Sequence, residues 1–258
     1  MRNLKRYFTL TVSVLLMLGL SMPAFAQGAQ ADALVGWWLF EDLSDEMGNF
    51  PDITLKGAKL DKGQLDVSVG EWALATGKYS GPTIKEKTMV CWFTLDSLNV
   101  QRGSVLTIDK ISVDEFDAMV FGERQPGHWM AGSSFFRRTT DPNPGFEEKK
   151  AGDLIFLAYT YADEGGQAQL NLYRNGEQFG DYKMGAIASW PAGDAEIFWG
   201  IRHGNEGGGP DNMDAHIEES RIYGTVLTED EINTLEVGTL SVKAHGKLTT
   251  QWATIKTQ

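Results

Sequence analysis

Short apolar runs, punctuated by Gly, Asp, Asn and Pro, recur along nearly the whole chain, and this spacing leaves room for little besides an all-β sandwich or barrel. Strands are expected over Leu34–Asp42, Ile53–Leu55, Gln64–Val69, Thr88–Leu95, Ser104–Ile108, Asp117–Gly122 and Leu154–Tyr161. Further strands follow at Gln169–Arg174, Glu177–Lys183, Ala195–Ile201 and His216–Tyr223. Between two of them, Asn175-Gly176 supplies the two positive-φ positions of a type I′ hairpin turn. Runs such as Val35-Gly36-Trp37-Trp38-Leu39-Phe40 are apolar on both faces, as strands covered on both sides must be. One short helix is expected near the end, where Thr228-Glu229-Asp230-Glu231 forms a capping box ahead of Ile232 and Leu235.

The first 26 residues belong to export and not to the fold. Arg2, Lys5 and Arg6 precede the apolar run Phe8–Met22, and Ala24-Phe25-Ala26 is a small-x-small cleavage site, so cleavage is expected after Ala26. A membrane span would need about 20 apolar residues and a positive flank beyond them, so a cleaved leader is the better reading and no membrane insertion follows it. No repeat or linker divides the remainder, so one domain is expected over 27–237, followed by a tail over 238–258. From Ser241 onward that tail carries Lys243, Lys247, Lys256 and His245 but no acidic residue.

Charge excludes some functions. The 258 residues hold 23 Lys+Arg against 35 Asp+Glu, a net charge of -12. Loss of the leader's three cations takes the exported chain to about -15, the wrong sign for phosphate backbones or anionic lipid surfaces. The one cysteine, Cys91, cannot make an intramolecular bridge and sits in the apolar run Thr88–Leu95, where it reads as a small buried hydrophobe.

Three segments in order resemble the concanavalin A-like, laminin-G-like (LamG-like) jelly roll of secreted bacterial proteins. The first is Leu34–Asp42, followed by Ser44–Asn49 and Ile53–Ala58; the second is Lys87–Asn99 with Leu154–Gly176; the third is Ala215–Tyr223 with Leu227–Ile232. The resemblance implies a two-sheet antiparallel jelly-roll sandwich with one short C-terminal helix, and a structural Ca2+ near the chain ends. Carried over by position, its ligands would be Glu41 or Asp42, Asn49 and Glu218; many members place Asp where this chain has Glu218. Calcium takes six to eight oxygens, which strand-end carboxylates and a carbonyl-rich turn supply. The segment Asn205–Asp214 is rich in oxygens but lacks EF-hand spacing and reads as a surface loop.

Glucanases share this sandwich, and those that retain configuration set two carboxyls about 5 Å apart. Glu115-Phe116-Asp117-Ala118-Met119-Val120 begins their strand pattern but has Met119 and Val120 where the acid/base belongs, so it reads as a chance match. His128, His203, His216 and His245 lack zinc spacing, and neither a Gly-x-Ser-x-Gly elbow nor a P-loop is present. Sugar binding instead needs flat aromatic faces beside planar polar groups. Trp129 and Trp190 lie in or beside apparent turns, with Arg137, Arg138, Arg202 and His203 as polar partners; Trp37, Trp38, Trp92 and Trp199 read as core. The expected function is that of a secreted or cell-envelope, non-enzymatic, lectin-like module that binds carbohydrate. A module that meets a cell-surface protein is the alternative, and a hydrolase or lyase ranks third.

Overall fold

The computed structural model describes residues 30–204 and 211–239; residues 1–29, 205–210 and 240–258, which take in the expected leader and nearly all of the expected tail, lie outside the described residues. Fourteen strands are described: β1 Leu34–Trp38, β2 Thr54–Lys56, β3 Lys59–Asp61, β4 Gln64–Val67, β5 Trp72–Ala75, β6 Lys87–Leu95 and β7 Ser104–Asp109. They continue as β8 Phe116–Phe121, β9 Trp129–Ser133, β10 Leu154–Glu164, β11 Gln167–Arg174, β12 Glu177–Ala186, β13 Glu196–Trp199 and β14 Ala215–Tyr223, with helix α1 at Glu229–Ile232.

They form two antiparallel sheets. The larger runs β12-β11-β10-β6-β14-β4-β3, with β1 also paired to β14; the smaller runs β2-β5-β13-β7-β8-β9. The alternation along β6 shows why the sheets stack. Met89, Cys91, Phe93 and Leu95 point into the main core between the sheets, while Val90 and Trp92 point outward into a second cluster with Leu34, Tyr173 and Tyr223. That outer cluster stays dry because Leu227 and Ile232 close over it. A large apolar side chain removed from water in this way contributes about 1.5–3 kcal/mol.

The local signals in the sequence act as their chemistry requires. Asn175 and Gly176 take φ 49° and 85° in the β11–β12 turn. The Thr228 hydroxyl accepts the Glu231 N–H, and the Glu231 carboxylate accepts the Thr228 N–H at 2.8 Å, which completes the capping box of α1. Cys91 is buried, and burial pushes its thiol well above the ordinary range.

Three strands escape the sequence pattern: β3, β5 and β9. Ala73 and Ala75 in β5, and Gly132 and Ser133 in β9, are poor strand formers, held in strand by pairing of β5 with β2 and β13 and of β9 with β8. The missed β9 matters, because it edges the smaller sheet and places the surface described next.

Candidate functional site

Trp129 and Trp190 do not face solvent. Trp129 opens β9 and is fully buried, with its ring against Phe93 and Phe121 and its Nε1 donating to Glu148 Oε1 at 2.9 Å. Trp190 is fully buried as well, held by reciprocal backbone hydrogen bonds with Ile84. Of the four core tryptophans expected, Trp38, Trp92 and Trp199 are buried, and Trp37 is half-buried with its Nε1 on Glu219.

The polar partners scatter too. Arg138 is buried, its Nε on Asp117 Oδ1 at 2.7 Å. Arg202 is engaged by Glu123 and Asp211. His203 stacks flat on Phe116 with centroids 4.5 Å apart, and burial together with nearby Arg202 holds its imidazole below the ordinary histidine range. Arg137 alone among these residues is exposed.

Of the residues assigned to Ca2+, Asp42, Asn49 and Glu218 each hold a hydrogen bond within the protein. Asp42 Oδ1 accepts the Ser44 N–H and hydroxyl, bonds that hold its carboxyl below the usual range. The Asn49 side-chain amide donates to Val35 O at 2.9 Å, and Glu218 accepts from Gln64. At the centre of the loop, the Asp45 carboxylate takes the N–H groups of Trp37, Met47, Asn49 and Phe50, so backbone amides occupy its oxygens beside the expected cage. Among the described residues, no group of three or more His, Cys, Asp or Glu is placed to hold a metal. Glu115 and Asp117 are likewise taken up in ion pairs, with Lys110 and Arg138 for the former and Lys87 and Arg138 for the latter.

A different surface stands out at the end of β9. There Phe135 and Phe136 occupy consecutive left-handed positions, φ 53° and 55°, and are 74% and 42% exposed. Each residue pays a steric penalty for that conformation, so the surroundings must impose it. They do so from both sides: Ser134 Oγ accepts the Phe116 N–H at 3.0 Å and donates to Asp114, while Ser133 Oγ accepts the Arg138 N–H at 2.8 Å. The turn is thereby pinned to β8, and its two rings are left facing solvent.

Both rings carry a guanidinium. Arg137 lies 5.3 Å from the Phe135 centroid and Arg124 lies 5.8 Å from that of Phe136. Arg124, on the β8–β9 loop, also grips Asp141 with Nε at 2.7 Å and Nη2 at 3.3 Å. This forked pair walls a cavity of about 90 Å³ that Gln125 and His128 also line, with Trp129 and Met130 among its walls. Pro144 and Gly145 separate that cavity from a wider one of about 370 Å³ lined by Phe146, Arg174 and Gln178. Arg174 is fixed there by a fork onto buried Glu148, at 2.6 and 2.9 Å, with its guanidinium 4.2 Å from the Phe146 centroid. Exposed aromatic faces and planar polar groups thus alternate along one edge of the sandwich. Of this set Arg137 and Trp129 were singled out in the sequence, Trp129 as an exposed ring and not a buried wall; nothing in Ser134-Phe135-Phe136 marks those rings as exposed.

Comparison with known proteins places the architecture. No curated protein matches the chain. Domain 4 of a GH43 extracellular arabinanase from Geobacillus stearothermophilus, in complex with arabinotriose, superposes with a TM-score of 0.53 at 16% identity, over 78% of this chain and 96% of that one. A Trypanosoma rangeli sialidase gives 0.57 at 14% identity, over 79% and 32%. The binding domain of Botulinum neurotoxin DC, in complex with rat synaptotagmin II, gives 0.53 at 12% identity, over 79% and 51%. The chain therefore spans about a third of the sialidase and half of the toxin domain. The family model described as concanavalin A-like lectin/glucanases superfamily matches residues 70–233, which takes in the second and third resembling segments and most of the two sheets, and the chain belongs to that superfamily.

Proposed function

We propose that this jelly roll is an exported, non-hydrolytic carbohydrate-binding module whose ligand lies along the Phe135–Phe136 edge. The observation that carries the reading is the pair of consecutive exposed phenylalanines, held at positive φ beside the Arg124–Asp141 cavity. Pyranose and furanose rings present a C–H face to an aromatic ring and a belt of hydroxyls to amide, guanidinium and carboxylate groups, and Phe136, Gln125, Arg124 and Asp141 supply both kinds of contact. The similar arabinanase domain was captured with arabinotriose, which supports a glycan for this fold. A ligand without formal charge suits the strongly acidic chain, because long-range repulsion would slow an anionic polymer.

The test is calorimetric titration of residues 27–258 with neutral oligosaccharides, arabinan fragments included, in calcium and in chelator, with the same mixtures assayed for released sugar. Saturable binding that is lost in the double variant Phe135→Ala, Phe136→Ala, without sugar release, supports the proposal. Sugar release overturns its non-hydrolytic part. Binding to none of the panel by a folded protein overturns the carbohydrate reading and moves the edge to a protein partner.

A further inference from the structure

Away from that edge, one lysine among the described residues is buried between the sheets. Lys87 opens β6 in the larger sheet, Asp117 is the second residue of β8 in the smaller one, and the side chains of both are 0% exposed. Lys87 Nζ stands 2.7 Å from Asp117 Oδ2, its one hydrogen-bond partner among the described residues. Its remaining surroundings are aromatic: the Tyr161 and Trp190 centroids lie 3.8 and 4.3 Å away. The other carboxylate oxygen, Oδ1, accepts Arg138 Nε at 2.7 Å, and Arg138 is fixed in turn by the carbonyls of Phe116 and Ala186 and by Glu115.

We infer that Lys87 and Asp117 are joined by an intramolecular amide bond that staples the two sheets together. The reactants are already in contact, buried and oriented, which is the condition under which an intramolecular reaction gains most over its bimolecular counterpart. An ammonium in this position has a single oxygen to bond, so burial pulls Lys87 down to about 8 and favours the nucleophilic free amine. The ion pair holds every atom the reaction needs. A proton passes from the ammonium to Asp117 Oδ2, the amine nitrogen attacks Cγ, and negative charge develops on Oδ1, where Arg138 Nε stabilises it. A second nitrogen proton then leaves with the Oδ2 hydroxyl as water. Ammonium and carboxylate are consumed, amide and water are formed, and no oxidant or outside reagent takes part. A guanidinium cannot serve as this nucleophile, which sets the Lys87 pair apart from the buried pair Arg221–Glu219. A chain with one cysteine has no disulfide with which to make such a staple.

The intact mass of the purified chain, measured in denaturant, decides the matter together with a peptide map. The expected result is a chain one water lighter than its sequence, with the Lys87 and Asp117 peptides recovered as a single branched species and the loss absent from Lys87→Arg. A chain at its full sequence mass overturns the inference, as does a loss that maps to any other residue or persists in Lys87→Arg. Cyclisation of an N-terminal Gln27 would remove ammonia instead of water and is distinguished by the same map.

Discussion

Replacing Phe135 separates a binding role from a structural one. At φ 53° an L residue bears a cost of about 1–2 kcal/mol, which glycine avoids. Against that stands the greater freedom of glycine in the unfolded chain, about 0.4–1 kcal/mol. The ring is 74% exposed, so its removal forfeits about a quarter of the roughly 2 kcal/mol that full burial would give. Phe135→Gly should therefore unfold in urea within about 1 kcal/mol of the parent, where truncating a buried phenylalanine costs about 3–5 kcal/mol. Phe135→Ala keeps the backbone cost and loses the ring, so it should be the less stable of the two variants. Glycan affinity should fall about tenfold in both, equivalent to about 1.4 kcal/mol. A loss above about 2 kcal/mol in Phe135→Gly, or an alanine variant more stable than the glycine one, would refute the argument that the surroundings impose this conformation on an exposed ring.

Gly176→Ala should lower the urea midpoint by the equivalent of about 1–2 kcal/mol, because φ is 85° and the added Cβ would collide with Asn233 Oδ1; an unchanged midpoint would contradict the turn geometry. Glu148→Ala strands the Arg174 guanidinium and the Trp129 Nε1, both of which the carboxylate serves, at a cost of about 3–5 kcal/mol measurable by chemical denaturation. Burial raises Asp109 to about 8, with Glu196 opposite it across β7 and β13 adding to the shift. The folded state therefore keeps a proton that the unfolded chain has lost above pH 3.8, and stability falls as pH rises between those values. Asp109→Asn removes that penalty and should be more stable than the parent at pH 7 by roughly 1–3 kcal/mol. The gap should close on descent toward pH 4, and a gap independent of pH would sink the assignment.

The split between legible and illegible features follows the range of the interactions. Strand alternation, the Asn175-Gly176 turn and the Thr228–Glu231 capping box are each decided within a few residues, so composition and spacing specify them directly. The buried state of Cys91 follows equally from its apolar run. The sandwich itself was readable because strands covered on both faces need two layers to cover them.

Burial of one particular side chain is a different matter, since it depends on residues distant in the chain. Trp129 sits beside Pro126-Gly127 and looks like a loop aromatic, yet pairing of β9 with β8 turns its ring into the core. Phe135 and Phe136 look like core residues, yet hydrogen bonds from Ser133 and Ser134 to neighbouring segments hold them outside it. Asp45 satisfies four backbone amides beside the expected metal site, and Lys87 meets Asp117 only because β6 and β8 face one another across the core. Local sequence chooses strands, turns and caps because their energies are local. Which aromatic ring meets solvent and which lysine meets a carboxylate depend on how two sheets stack, and that sums contacts across the whole chain.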